Sequence, residues 1–220
     1  MSDRRVRKPS WTVDLVLLTA VGGQLAVLLA RSPDGREKWM LPWDAARPGE
    51  AMEPAASRIA KSTSIGEPAW LEQVGAFGDS RRHLSDADIS VAYAGLVPMG
   101  TPSPVGGVYA WFPLADVPQL APRQKQILDS AITSVRGRMD QSPVAFKLLP
   151  QMFTLTELQQ MYELLLAKRL HKASFRRALQ AAWLVEPTDE WRSEGRGRPA
   201  QLYRYAPRKR RPAQRGIRLD

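Results

Sequence analysis

The stretch TVDLVLLTAVGGQLAVLLA, residues 12–30, sets the frame for the chain. Two runs rich in Val and Leu, residues 12–19 and 24–30, flank Val21-Gly22-Gly23. Glycine supplies the positive φ of a tight hairpin, so the runs read as two buried strands folded back on each other. Strand-like segments follow at Trp70–Phe77, 88–97 and 108–113, separated by turn residues and the Pro/Gly-rich stretch 98–107. Between the hairpin and these strands, one helix is expected from near Pro54 toward Gly66, with Met52, Ala56, Ile59 and Ala60 facing inward. A second is expected over Pro122–Arg138, with Ile127, Leu128, Ala131, Ile132 and Val135 on one face. This first part is a mixed α/β layer fold.

After Gly137 the pattern changes. Residues 139–150 form a Pro-punctuated connector, and FTLTELQQMYELLL then begins a well-marked helix. Thr154 is the expected cap, Glu157 completes a capping box, and Phe153 against Leu158 forms a hydrophobic staple. Leu155, Leu158, Met161, Tyr162 and Leu165 make the buried stripe. A turn at residues 168–171 leads into KASFRRALQAA, where Phe175, Leu179 and Ala182 face inward and Lys172, Arg176, Arg177 and Gln180 face out. Two helices joined this tightly, the second outwardly basic, read as a helix-turn-helix. WLVEP and AQLYRYAP are strand-like, with TDEWRSEGRGRP as a long basic loop between them, which completes a wing.

Charge follows the same division. The chain carries a net +10, yet residues 1–140 hold 16 Lys and Arg against 15 Asp and Glu, and residues 141–220 hold 16 against 7. A nearly neutral body therefore carries an end of net +9. Such an end suits a polyanion, and nucleic acid is the commonest one in the cytoplasm. The expected organisation is a basic arm (1–10), an α/β domain (11–138), a linker and winged helix (139–207), and a disordered basic tail (208–220). Zero cysteines remove disulfides, thiolate nucleophiles and sulfur-based zinc sites, and His83 and His171 lie far apart. No metal or cofactor is expected. No run reaches the ~18–20 apolar residues of a membrane span, so no membrane association and a cytoplasmic, nucleoid-associated location are expected.

A winged helix lays its second helix in the major groove, where arginines pair with guanine edges or phosphates. Arg176 and Arg177 are the leading contacts, supported by Lys172, Ser174 and Gln180. Arg196, Arg198 and Arg204 are the wing candidates. GRGRP can place an arginine in a narrow minor groove, or be a turn kept soluble by arginine. A protein-docking helical module and an RNA-binding end are the alternatives for this half.

The stretch WMLPWDAARPGEAMEPAASRIAKSTSIG, residues 39–66, aligns without a gap to the Nudix box. That pattern has a Gly, a Glu six positions later, then Arg-Glu, an apolar residue and a Glu-Glu pair. Leu41-Pro42, Pro48-Gly49-Glu50, Ala55-Ala56 and Arg58 fit it. Ile59, Ser62 and Thr63 stand where the box has carboxylates, and Trp43-Asp44 where it has glycines. Those carboxylates bind the divalent ions that polarise the attacking water, so neutral residues there predict no catalysis. Glu50 and Glu53 remain. With Asp44 they leave a residual pyrophosphohydrolase of the ADP-ribose type as the alternative.

The ordered blocks LAVLLARSPDGREKWMLP, LEQVGAFGD, YAWFPLADVPQLA, PVAFKLLPQMFTLTELQQMYELLL, SFRRALQ and GRPAQLYRY resemble the Nudix-related transcriptional regulators of the NrtR family. The resemblance runs from about Val13 to Tyr205. It implies an α+β chain, a Nudix-like α/β/α sandwich with a mixed sheet followed by a C-terminal winged helix. It also implies a homodimer on a palindromic double-stranded DNA operator, with an ADP-ribose-like nucleotide as effector. SFRRA matches the family's Asn-Phe-Arg-Arg-Lys segment, with Ser174 and Ala178 substituted. Trp39, Glu50, Arg58 and Arg82 are the candidate ligand contacts. The family's Arg-Asp-Pro-Arg loop is here Arg82-His83-Leu84-Ser85, and its Asp-His before the second helix is Arg123-Gln124, which counts against the usual nucleotide.

Overall fold

In the computed structural model, residues 10–33, 38–78, 83–104, 107–139, 142–193, 199–207 and 217 are described. In chain order the elements are β1 (Trp11–Val21), β2 (Gln24–Arg31), β3 (Trp39–Met40), β4 (Trp43–Ala45), α1 (Met52–Ser62), β5 (Trp70–Phe77), β6 (Ile89–Leu96), β7 (Tyr109–Pro113), α2 (Pro122–Arg138), β8 (Met152–Phe153), α3 (Leu155–Leu166), α4 (Lys172–Ala182), β9 (Val185–Arg192) and β10 (Ala200–Tyr205).

β1 is the axis of the first half. One edge pairs in parallel with β6 from Trp11 to Leu18. The other edge pairs antiparallel with β4 near its start and with β2 near its end. Gly22 and Gly23, at φ +56° and +75°, turn β1 into β2 as the hairpin requires. The sheet runs β3-β2-β1-β6-β5, with β4 beside β1 and β7 beside β2, and is mixed as expected.

Alternation along β1 divides the core. Val13, Leu15 and Leu17, with Leu28, meet Ala55, Ala56, Ile59 and Ala60 of α1 on one face. Val16 and Leu18, with Val27 and Leu29, meet Ile127, Leu128, Ala131 and Val135 of α2 on the other. The runs of residues 12–30 are mostly apolar, without a polar face, because both faces are covered, giving the α/β/α sandwich.

The second half is α3 and α4 with the sheet β8-β10-β9. Its core is continuous with that of the first half, from α2 through Phe146 and Phe153 to Tyr162 and Phe175. Tyr162 and Phe175 lie 5.4 Å apart, and Phe146 and Tyr205 4.7 Å. Arg136 of α2 donates through Nε to the Leu165 carbonyl at 2.9 Å, placing a cation at the C-terminal end of α3.

Several expectations are corrected. Ile217 belongs to a stretch read as a disordered tail, yet it is fully buried in this shared core. β9 continues through Thr188–Arg192, which the sequence reading gave to the wing loop, because β10 takes it up again at Trp191 and Arg192 across a register shift, where the Thr188 hydroxyl donates to the Leu202 carbonyl and the Thr188 carbonyl accepts from Gln201 Nε2. α1 begins at Met52 rather than Pro54, without a side-chain cap at Ala51, and Met52 is only half-buried. The two- and three-residue strands β3, β4 and β8 carry too few residues to show a period.

Candidate functional site

The helix-turn-helix is held by α3. Thr154 Oγ1 accepts from the Glu157 N–H at 3.1 Å while Glu157 Oε2 accepts from the Thr154 N–H at 2.7 Å, the expected capping box. α3 ends at Ala167 in the left-handed region, φ +52°. Glu163 then fixes the turn, accepting from the Leu170 N–H at 2.9 Å, Gln159 Nε2 at 3.0 Å and Arg169 Nη1 at 3.1 Å. The Leu170 N–H foremost, with Gln159 and Arg169, holds the Glu163 carboxyl below its ordinary pKa, so it stays an acceptor.

α4 is sided as its spacing predicts. Phe175 and Leu179 are buried and Ala182 is half-buried, while Lys172, Ser174, Arg176, Arg177 and Gln180 are exposed. Lys172, Arg176 and Arg177 make no ion pair among the described residues. Arg204 of β10 is 63% exposed and leans on Glu186 at 3.4 Å. Arg196 and Arg198 lie outside the described residues. Sequence reasoning missed two supports. Arg192 Nη1 donates to Glu157 Oε1 at 2.7 Å, tying the wing to the start of α3, and Glu163 pins the turn before α4. Glu157 carried only its capping signal in the sequence, and Glu163 carried none.

The loop and helix of the Nudix-like half are arranged differently. Ile59 is 3% exposed and packs in the core under β1. The Ser62 hydroxyl donates to the Ile59 carbonyl at 2.7 Å, and the buried Thr63 hydroxyl to the Ala60 carbonyl at 2.6 Å. Arg58 meets Glu50 through two bonds, Nε to Oε1 at 2.8 Å and Nη2 to Oε2 at 2.9 Å, and Asp44 through Nη1 at 2.5 Å. The Arg58 hydrogen bonds, with a lesser one from the Arg47 N–H, pull the Glu50 carboxyl down to about 2, and the two carboxylates raise the Arg58 guanidinium. A carboxyl held that low is a poor proton acceptor near neutral pH. Glu53 is exposed. Among the described residues, no three His, Asp or Glu side chains are gathered to hold a metal ion.

Trp39 lies on β3, half-buried, edge-on to Phe112 at 4.8 Å with the Arg31 guanidinium 5.3 Å from its ring. Arg82 lies outside the described residues. His83 turns inward: its Nε2 meets Asp14 Oδ1 at 3.0 Å, both side chains fully buried, and Trp43 packs edge-on against its ring at 4.6 Å. The Ser85 N–H donates to His83 Nδ1 at 3.2 Å, which makes Nδ1 the acceptor and gives Nε2–H to Asp14. Arg123 and Gln124 are buried supports. Arg123 Nη1 donates to the Ala87 carbonyl at 2.8 Å, and Gln124 Oε1 accepts from the Leu41 N–H at 3.2 Å.

An outwardly basic helix-turn-helix with a paired wing, packed onto a Nudix-like sandwich, defines a class of DNA-binding regulator. Residues 145–205 match the NrtR DNA-binding winged helix domain. Over 208 residues the chain is 31% identical to the ADPR responsive transcriptional repressor NtrR of Acinetobacter baylyi, covering 90% of this chain and 82% of that relative. NrtR of Shewanella oneidensis, solved in complex with a 27mer DNA, is 31% identical with a TM-score of 0.78 over 90% of this chain and 94% of that one. The NUDIX domain of the same protein, solved with ADP ribose, is 25% identical with a TM-score of 0.51, covering 61% of this chain and 93% of that one. The chain belongs to the NrtR family of transcriptional regulators. Among the described residues, no helix is long and apolar enough to cross a membrane.

Proposed function

We propose that this chain is a transcriptional repressor that binds a palindromic operator as a homodimer, acting on the nucleoid in the cytoplasm. The observation that carries the reading is α4, with Lys172, Arg176 and Arg177 exposed beside a wing. Repression is supported by the Acinetobacter relative and DNA as partner by the Shewanella complex. Selection of bound duplexes from genomic fragments by the full chain tests it. The expected result is enrichment of a sequence with two-fold symmetry upstream of a limited set of genes. Failure to enrich any duplex would overturn the reading.

The Nudix-like half serves as scaffold and sensor without hydrolysing its ligand. Ile59, Ser62 and Thr63 have no charge to offer a metal, and Glu50 and Asp44 are engaged by Arg58. Release of AMP from ADP-ribose with Mg²⁺ or Mn²⁺, abolished in Glu50→Gln, is the result that would revive the pyrophosphohydrolase reading. The effector class supported by the relatives is an ADP-ribose-type nucleotide. Because Arg58 is already neutralised, this chain binds that nucleotide more weakly than a pocket with a free guanidinium. A thermal shift series with ADP-ribose, NAD and nucleoside diphosphates checks this. A modest shift with ADP-ribose is expected, and no shift with any of them would leave the domain as a scaffold alone.

A further inference from the structure

Successive side chains of β9 alternate across the wing sheet. Arg192 turns toward α3, where it meets Glu157 at 2.7 Å and reaches the Met152 carbonyl at 3.5 Å. Trp191, the residue before it, is directed to the other face of the strand and is 57% exposed, the most open of the large apolar side chains among the described residues. Its partner across the ladder is the polar Gln201, whose Oε1 accepts from the Tyr203 hydroxyl at 3.4 Å.

A single exposed apolar residue is ordinarily of no consequence. The setting of Trp191 is different. Beyond a register shift in the ladder, Trp191 pairs with Gln201 and Arg192 with Ala200, and the Arg192–Glu157 ion pair next to it anchors this end of the strand. In sequence it stands just before Arg196 and Arg198, in the part of the chain with a net charge of +9. The described cations nearest the wing base are already engaged, Arg192 by Glu157 and Arg204 by Glu186. The other charges at this end of β9 are the exposed acids Asp189 and Glu190, so what it offers a polyanion is the apolar ring of Trp191. Duplex DNA has a surface for such a ring, the sugar edges that wall the minor groove, where apolar side chains pack or wedge.

We propose that Trp191 is a DNA-contacting residue of the wing, its indole lying against the minor-groove sugars that flank the site read by α4. This rests on the DNA-binding reading above and assigns one contact within it. Aromatic anchors held in a rigid frame dominate interface energetics, so loss of the ring is expected to weaken binding at least about tenfold. Because no charge is removed, the salt dependence of binding is expected to stay unchanged. A lost phosphate contact lowers that slope by about one.

The experiment uses the full chain and the short duplex it enriches most strongly from a random-sequence library. Affinities of wild type, Trp191→Ala and Trp191→Phe are measured across a salt series, alongside thermal melts and the change in indole emission when duplex is added. Expected are weaker binding by Trp191→Ala with the wild-type slope and melting point, near-wild-type affinity for Trp191→Phe, and an emission change on DNA that is lost in Trp191→Phe. Equal affinity for Trp191→Ala and wild type would overturn the assignment. So would a loss accompanied by a lower slope or a lower melt, because the ring would then act by arranging cations or holding the wing. If the wild-type chain enriches no duplex, the DNA-binding reading fails first, an outcome distinct from a Trp191 variant that binds as well as its parent.

Discussion

α1 and α4 are both eleven residues long and both carry arginine, yet they use it in opposite ways. On α1, Arg58 is enclosed by Glu50 and Asp44, and the hydroxyls of Ser62 and Thr63 bond back to their own helix. On α4, Lys172, Arg176 and Arg177 stand exposed, with no ion pair among the described residues. The difference lies in the surroundings. KASFRRALQAA contains no acid, whereas β4 and the loop between it and α1 supply Asp44 and Glu50. A guanidinium with two carboxylates must exchange partners to meet a phosphate, while an unpartnered one gains a partner. One helix is committed inward and the other is left for a polyanion.

Removing the outward charges breaks this contrast most severely. Arg176→Ala with Arg177→Ala is expected to cost roughly 2–6 kcal/mol of operator affinity, taking about 1–3 kcal/mol for each base-contacting arginine. Anisotropy titrations with the selected duplex measure it, with melting unchanged because both side chains are exposed. Full sequence-specific binding by the double variant would remove α4 from the interface.

Restoring a carboxylate on the inward helix is the next largest change. Ile59→Glu places an acid where the box has one, but Ile59 is 3% exposed against β1. Burying an unpaired charge there is expected to destabilise the chain by several kcal/mol without restoring hydrolysis. Urea unfolding and an AMP-release assay decide it. A variant that folds as well as its parent would show that Ile59 is not committed to packing.

Both predictions rest on features that differ in how far the sequence displayed them. Trp70–Phe77 and Pro122–Arg138 were legible to the residue, the strand from Pro68 and Gly78 that bracket it and the helix from the proline at its first position. The helix-turn-helix was legible from the capping box and the inner stripe. The far half of β9 was not, since its charged residues show no alternation. Arg58 matched the box by position, but its engagement depends on β4 holding Asp44 against it from fourteen residues away. His83 and Asp14 are 69 residues apart, and Ile217 enters the core from a segment whose composition is that of a tail. Contacts set by chain folding over such distances leave no local spacing to read.

A smaller effect separates how the two helical regions begin. α1 has no side-chain cap at Ala51, whereas α3 has Thr154 and Glu157 reciprocally bonded. Thr154→Ala is expected to cost about 1 kcal/mol, within the usual 0.5–2 for a lost cap. It removes the bond to the Glu157 N–H, which fixes the backbone from which the Glu157 carboxylate reaches Arg192 of the wing. Melting should fall by a few degrees, with a modest loss of DNA affinity. A loss of stability with no change in affinity would separate the cap from wing placement.

The smallest expected effect tests whether Arg58 can be turned from structure toward ligand. Asp44 is 54% exposed on its side chain, so its pair with Arg58 contributes at most about 1 kcal/mol to stability. Asp44→Ala leaves the two bonds to Glu50 in place and frees Nη1, while removing a negative charge that faces any phosphate approaching the guanidinium. Binding of ADP-ribose should tighten by roughly fivefold or less, the equivalent of up to about 1 kcal/mol. Calorimetric titration of wild type and Asp44→Ala measures it. Unchanged or weaker binding would mean that the charge of Arg58 does not limit the pocket. The barrier would then lie with Trp43, wedged on the His83–Asp14 pair, and α1 would have lost its ligand through shape rather than through charge.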